Sequence, residues 1–211
     1  FAMGLIALIL ELLIAIPLGI LAATRQYSRT DYTITAGALI GISLPTFFFA
    51  TLLKLIFSVK LGWFDLYGLV GRDFQNLSPW GQVLDMAKHL VLPVATLVVI
   101  SIGSLMRYTR TNMLEVLSAD YIRTARAKGV SGTKIIFGHA LKNSLIPVIT
   151  YFGPMLAFIV TGSMVVEQIF AVNGIGRAFV NSITNRDYPL IMGTTIVLAT
   201  LIVIMNLVSD I

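Results

Sequence analysis

Five long apolar runs divide this sequence, and they limit the possible fold more than any other feature. A helix needs about 20 mostly apolar residues to cross the hydrocarbon core of a bilayer. Inside that core the backbone must satisfy its own hydrogen bonds, which favours helices. We therefore predict an all-α, polytopic transmembrane helical bundle in a single domain, 1–211, with spans at 1–23, 32–59, 90–106, 145–166 and 189–208.

The composition excludes a soluble domain with an ordinary charged surface. Hydrophobic residues make up 57% of the chain and charged residues 12%, and the mean hydropathy is +0.90. The formal net charge of +5 arises from basic residues clustered in particular loops, which is typical of membrane topology and argues against nucleic-acid binding. Because cysteine is absent, disulfides and cysteine metal sites are excluded.

The basic loops predict how the spans are oriented. Residues 107–142 contain seven Lys and Arg against two acidic residues, and short loops of this kind resist translocation. We expect this loop, and by alternation 25–31, to face the cytoplasm. The loops at 60–88 and 167–188 are then expected to lie outside.

Two of the spans contain residues that predict special packing. Pro45 interrupts 32–59 and predicts a kinked helix. The short span 90–106 contains small and polar residues such as Thr96 and Gly103, which favour helix–helix packing over lipid contact.

The segment 119–147, the basic hairpin, reads as two short helices. Ser118 can cap the first helix, and Gly129 can end it in a left-handed conformation. Ser131 can cap a second helix that continues toward Pro147. The pattern predicts a helix-turn-helix at the membrane surface.

Charge alone favours a basic hairpin that only sets topology. Its shape favours more than that, because Ala125 and Ala127 beside Tyr121 form a small-residue projection that could enter a groove of a partner. Arg126 and Lys128 lie in the last helical turn, where positive charge suits the helix dipole.

Glu11 is the only carboxylate deep inside a predicted span. An intramembrane carboxylate is a functional candidate that faces a cavity, so Glu11 is a possible residue of a translocation pathway. The alternative, a protonated or water-exposed residue without a substrate role, is equally supported.

Chemical motifs are otherwise weak. Gly174 and Gly176 form a short glycine run without the strand that a nucleotide site requires, so we interpret it as an external turn. His89 and His139 lack ligand spacing, and we expect neither a metal site nor a cofactor. Without a Walker phosphate loop or a nucleophile elbow, we expect no covalent chemistry from this chain.

Two blocks of sequence resemble one family. YIRTARAKG at 121–129 and HALKNSLIP at 139–147 resemble the cytoplasmic coupling loop of the membrane subunits of bacterial ABC importers. The version is that of the oligopeptide and dipeptide permeases. GSMVVEQIF at 162–170, GIGR at 174–177 and RDYP at 186–189 resemble the same branch.

The resemblance implies a bundle of the ABC importer permease type, in which the basic hairpin docks into a cytoplasmic ATPase subunit. RTA at 123–125 replaces the Glu-Ala-Ala of the general importer loop, which argues against sugar or amino-acid permeases. The implied transmission element consists of Tyr121, Arg123, Thr124, Ala125, Arg126, Ala127, Lys128 and Gly129. The implied external-side motif consists of Glu167, Gly174, Gly176, Arg177, Arg186, Asp187, Tyr188 and Pro189.

The same resemblance implies the partners and the substrate class. We expect a second related permease, two cytoplasmic ATPase subunits and an external substrate-binding protein, with this chain as the non-catalytic translocation subunit in the bacterial inner membrane. Peptides are the expected substrates, and nickel chelates are the alternative within the family. A self-contained secondary transporter or channel is the alternative from another class. Such a protein needs charged residues or broken helices in the middle of the membrane, and only Glu11 and the kink at Pro45 meet that requirement.

Both ends of the sequence lie in apolar segments. We expect the chain to be a piece of a longer polypeptide, because the family that it resembles has an upstream span and an external domain.

Overall fold

The computed structural model describes residues 2–150, 155 and 164–210, and these residues form helices joined by turns, with no strand among them. The predicted all-α fold is therefore confirmed. Three described helices are long and apolar enough to cross a membrane, namely Ala2–Thr24, Pro79–Ser118 and Tyr188–Val208. A bent helix pair supplies a fourth candidate if it is one span. The predicted span at 145–166 lies mostly outside the described residues.

The N-terminal part consists of α1 (Ala2–Thr24), α2 (Arg29–Ser43) and α3 (Thr46–Leu53), and α3 continues as a π-helix over Lys54–Lys60. The predicted kink at Pro45 is in fact a break, because α2 and the α3 segment meet at 98°. Proline disfavours the helical conformation of the residue before it, and Leu44 is extended with φ −80° and ψ 125°.

Helix α4 (Pro79–Ser118) contains 40 residues, so the predicted bounds of the third span, 90–106, were too narrow. At 1.5 Å per residue it is about 60 Å long, roughly twice the hydrocarbon thickness, and it extends well into the segments predicted as loops. Ser78 caps its start by accepting a hydrogen bond from the Gly81 N–H at 3.2 Å. The sequence missed this length because polar residues at both ends of the helix resemble loop sequence.

Close approaches of the backbone hold α2 against α4. A Cβ at Gly41 would lie 2.6 Å from the Val99 carbonyl oxygen, and a Cβ at Gly103 would lie 2.5 Å from the Ala38 carbonyl oxygen. Thr96 is fully buried. The prediction that small residues of this span serve helix packing is confirmed.

The C-terminal half is more helical than predicted. The segment 107–142 contains the end of α4 and then the predicted helix-turn-helix, which consists of α5 (Asp120–Ala127), α6 (Gly132–Lys134) and a π-helix over Ile135–Ala140 that leads into α7 (Leu141–Thr150). Beyond residues that are not described lie α8 (Met164–Ile169), α9 (Ile175–Asn185) and α10 (Tyr188–Asp210).

The apolar core follows α4 from one end to the other. One cluster surrounds Leu90 and Val94, a second surrounds Leu105 and Met106, and a third surrounds Met113. Helix α10 contributes little to this core, because only 6% of its most apolar stretch is buried within the chain. Its surface is therefore available to lipid or to another chain.

Candidate functional site

The first helix of the basic hairpin, α5, ends in a Schellman motif. The Gly129 N–H donates to the Arg126 carbonyl at 2.9 Å, and the Val130 N–H donates to the Ala125 carbonyl at 3.2 Å. Gly129 has φ +77°, which confirms the left-handed conformation expected of this glycine. Ala125 and Val130 both pack against the third core cluster, and apolar side chains at these two positions frequently accompany the motif.

The start of α5 differs from the prediction. Ser118 does not cap it, because its hydroxyl donates to the Glu115 carbonyl at 2.7 Å in the last turn of α4. Ala119 takes the N-cap position, which has no side-chain hydrogen bond. Ser118 is the last residue of α4, so its hydroxyl bonds to a carbonyl of that helix. The predicted third span ends at 106, so the sequence did not indicate that Ser118 belongs to a helix. Ser131 does precede α6, although without a side-chain cap.

One buried side chain anchors α5 to the bundle. Ile122 is fully buried and belongs to the cluster that also contains Met113 of α4 and Ala23 of α1. The Asn143 side-chain N–H₂ donates to the Tyr121 hydroxyl at 2.9 Å and joins α5 to α7. Ile122 thus ties α5 to the bundle, and the Tyr121–Asn143 hydrogen bond ties α5 to the second arm of the hairpin.

The other predicted transmission residues face outward. Arg123, Thr124, Arg126, Ala127, Lys128 and Gly129 are exposed, whereas Ala125 is half-buried. The Arg123 guanidinium lies 3.6 Å from the Asp120 carboxylate, but both side chains are largely exposed, so this ion pair contributes little to stability. Helix α5 therefore exposes a polar, mostly basic surface, while Ile122 on its other side is buried in the bundle.

The second predicted site forms around Glu167. Its carboxylate is buried and accepts a hydrogen bond from the Arg177 N–H at 2.8 Å, at the first turn of α9. A Cβ at Gly174 would overlap that carboxylate, and a Cβ at Gly176 would lie 3.0 Å from it. The predicted turn is therefore the N-terminus of an 11-residue helix, and the glycines leave room for an acidic side chain that favours this end of a helix.

Electrostatics and a neighbouring cavity complete this site. Burial raises the pKa of the Glu167 carboxyl, and hydrogen bonds from the backbone of Arg177 and Gly176 partly oppose that rise. The Arg177 guanidinium donates to the Ala171 carbonyl at 2.9 Å and to the Asn173 side chain at 3.0 Å. Both charged residues line a cavity of about 660 Å³.

The last residues of the external-side motif form the joint between α9 and α10. Arg186 adopts a left-handed conformation with φ +55° at the end of α9. The Asp187 carboxylate then accepts a hydrogen bond from the Leu190 N–H at 3.1 Å, which caps α10. Tyr188 and Pro189 form the first residues of that helix, where a proline needs no N–H donor.

Comparison with known proteins shows which family contains this chain. Residues 15–211 match the family described as binding-protein-dependent transport system inner membrane component. The chain belongs to this family. It is accordingly a membrane protein, which agrees with the long apolar helices.

The names of several relatives state a substrate. The chain is 46% identical over 207 residues to the oligopeptide transport system permease protein AppB of Bacillus subtilis, covering 98% of this chain and 64% of the relative. It is 43% identical to the dipeptide transport system permease protein DppB of the same organism, with coverages of 100% and 63%. For the oligopeptide transport system permease protein OppB of Haemophilus influenzae the identity is 40%, with coverages of 99% and 64%. The chain thus spans less than two thirds of the length of these relatives.

The basic hairpin and the Glu167 site lie within the residues that match the family, whereas Glu11 precedes them. Glu11 belongs to α1, and its side chain lies against α4, where it accepts a hydrogen bond from the Ser101 hydroxyl at 2.8 Å. Glu11 is 4% exposed, and its second oxygen is buried without a partner among the described residues. A role for Glu11 in the translocation pathway stays a prediction.

Sequence reasoning missed two polar contacts that join distant elements. The Lys54 ammonium donates to the Ile169 carbonyl at 2.6 Å and lies 3.5 Å from the centre of the Tyr67 ring. Asp31 and Arg110 form the other contact, a bidentate ion pair between α2 and α4. The only signal for these residues in the sequence was that they are charged. Their partners are 79 and 115 positions away and cannot be identified from local spacing.

His89 is also less isolated than predicted. Its Nδ1 lies 2.8 Å from the Asp85 carbonyl oxygen, and its Nε2 lies 3.4 Å from the Asp65 carboxylate. The side chain of His89 therefore connects α4 to the loop before it.

Proposed function

We propose that this chain is the membrane-spanning permease subunit of an ATP-driven importer of peptides in the bacterial inner membrane. The substrate class is proposed from the names of relatives at 40–46% identity, which are oligopeptide and dipeptide transport system permeases. The chain would act as a non-catalytic translocation subunit, and ATP would be hydrolysed on partner subunits.

The observation that carries this proposal is the construction of the basic hairpin. Helix α5 exposes its basic side chains, while Ile122 anchors it among side chains of α1 and α4. A loop that only set the topology would need positive charge and no defined shape. A helix with a Schellman end, a buried anchor and an exposed polar face suits docking into a groove of an ATPase subunit.

The remaining partners are proposed from the surfaces that the described residues leave uncovered. A second permease would cover the exposed sides of α10 and an apolar groove of about 450 Å³ between α1 and α4. A substrate-binding protein would approach the opposite face from the basic hairpin. That face would contain the Glu167 site and the loop with Tyr67.

The orientation is testable because the chain has no cysteine. A single cysteine replacing Ser131, which is exposed in the basic hairpin, should react with an impermeant maleimide only from the cytoplasmic side. A cysteine replacing the exposed Ser78 should react only from outside. The reverse pattern would overturn the proposed topology.

The function itself is tested with the full-length permease reconstituted with its second permease, its ATPase subunits and its binding protein. We expect uptake of labelled di- and oligopeptides that requires ATP and is not inhibited by nickel chelates. Uptake of nickel in place of peptide would contradict the substrate class. Transport by the permease without ATPase subunits would contradict the ATP-driven mechanism and favour a self-contained transporter.

A further inference from the structure

The ion pair between Asp31 and Arg110 lies at the end of the bundle that carries the basic hairpin. The guanidinium approaches the carboxylate with both arms of its planar fork, Nε to Oδ1 at 2.7 Å and Nη2 to Oδ2 at 2.8 Å. The side chain of Asp31 is 4% exposed and that of Arg110 is 23% exposed. Such a bidentate contact fixes orientation as well as distance, because both N–H groups must stay aligned with both oxygens.

The turn between α1 and α2 is built around the same carboxylate. The Tyr27 N–H donates to Asp31 at 2.9 Å, and the Thr35 hydroxyl donates to it at 3.3 Å. The Ser28 hydroxyl in turn accepts a hydrogen bond from the Asp31 N–H at 3.2 Å and caps α2. Tyr27 is held at φ +61°, a conformation that non-glycine residues rarely adopt. Asp31 therefore fixes the turn and the start of α2, and Arg110 attaches both to α4.

The same short stretch of α4 also holds α1 and α5. Thr109 is fully buried, and a Cβ at Gly19 of α1 would lie 2.8 Å from the Thr109 Cβ. Met113, one turn beyond Arg110, is fully buried in the cluster with Ile122 of α5. Within about one and a half turns, α4 thus contacts α1, the turn to α2 and the anchor of the basic hairpin.

We propose that the Asp31–Arg110 pair is the joint through which movement of α5 reaches the broken segment α2–α3, so that both are positioning residues for coupling. Apolar surfaces can slide past one another, but this pair cannot shift without leaving a buried charge unpaired. Helix α2 must therefore follow α4. Beyond the 98° break, the Lys54 ammonium attaches the other end of the segment to the Ile169 carbonyl.

This inference rests on the proposed function, and its test uses the reconstituted full-length complex. The readout is peptide uptake per ATP hydrolysed, measured beside the melting temperature and the amount of ATPase subunit bound. For Asp31→Asn we expect uptake per ATP to fall about tenfold while ATPase binding is unchanged, within the range typical of coupling between sites. Arg29→Gln is the matched control, because it removes an exposed charge from the same turn and should not change the ratio.

The double variant Asp31→Asn with Arg110→Met separates coupling from stability. It leaves no charge unpaired, and the amide oxygen at position 31 can still accept the hydrogen bond from the Tyr27 N–H, so stability should be restored. We expect the melting temperature to recover and uptake per ATP to stay low. Recovery of both would overturn the inference, since the pair would then serve stability alone.

Arg110→Lys keeps the test decisive if the double variant fails to assemble. Lysine retains the charge but cannot form two parallel hydrogen bonds, so we expect about a threefold fall in uptake per ATP. An unchanged ratio in this variant would overturn the inference. If the wild-type complex imported no peptide, the proposed function would fail before the pair could be judged, so the two failures are distinguishable.

Discussion

Charged side chains are exposed in the basic hairpin, whereas a second hairpin around Glu167 buries one. The basic hairpin buries apolar side chains such as Ile122 and Ile135 and turns its charged side chains outward. The glutamate hairpin, formed by α8, α9 and the turn between them (164–185), buries the carboxylate of Glu167 and surrounds it with backbone N–H groups. The first arrangement offers a surface to a partner, whereas the second fixes the shape of the chain itself.

Their glycines differ for the same reason. Gly129 has φ +77° and open space where a Cβ would lie, so its backbone conformation is what requires glycine. Gly174 has φ −144°, an extended conformation that any residue adopts, but a Cβ there would overlap the Glu167 carboxylate. The comparison teaches that substitutions at the two positions should fail in different ways, one by misdirecting a helix and one by expelling a buried acid.

The largest effect is expected for Gly174→Ala. The added methyl group would displace the Glu167 carboxylate from the start of α9 and break its hydrogen bond with the Arg177 N–H. We expect the free energy of unfolding to fall by about 3 kcal/mol, measured as a lower melting temperature in detergent. Gly193→Ala is the control, because nothing lies within 4 Å of a Cβ at that position. Equal melting temperatures would mean that the carboxylate is not held in place.

Gly129→Val should act through the backbone alone. A β-branched residue in the left-handed region costs about 2 kcal/mol, which should undo the Schellman end of α5. We expect normal insertion of the spans but loss of the ATP hydrolysis that loaded binding protein stimulates in the reconstituted complex. Gly132→Val, in the same hairpin without a positive φ, should retain that stimulation. If both variants behaved alike, the conformation of Gly129 would have no part in coupling.

A smaller effect is expected for Arg126→Glu. The substitution places a negative charge in the last turn of α5, where it opposes the helix dipole and any acidic surface on the ATPase. Because the site is exposed, we expect about fivefold weaker ATPase binding, with the difference reduced at high salt. Lys134→Glu makes the same charge change outside α5 and should bind as the wild type does. A similar loss in Lys134→Glu would point to net charge and not to α5.

The smallest effect concerns the pH dependence of stability at Glu167. Because burial raises its pKa in the folded state above 4.5, folding favours the protonated form. The contribution of Glu167 to stability is therefore full below pH 4.5 and is lost as the pH rises through the folded-state pKa. The melting temperature of Glu167→Gln, measured from pH 4 to 8, should rise relative to the wild type across this window. A constant difference would show that Glu167 titrates as it does in the unfolded chain.

The sequence by itself was sufficient for the class of fold and for the helix-turn-helix of the basic hairpin, whereas it predicted only a turn where α9 begins. Apolar runs of membrane length predict helices because lipid offers no partner for the backbone. The conformation of Gly129 was also predictable, since a glycine after a short basic helix is a local signal that needs no distant contact. The position of the break at Pro45 was predictable for the same reason, although its 98° angle was not.

Only the tertiary structure decided which charged residues meet. Asp31 is paired with Arg110 across 79 positions, and Lys54 with the Ile169 carbonyl across 115, because helix packing brings these positions together. It also decided why Gly174 must lack a side chain, since the obstacle is a carboxylate on another helix. Local sequence determines the conformational preference of the backbone. Burial and the pairing of side chains depend on which helix surfaces pack together, and this packing is a property of the whole bundle.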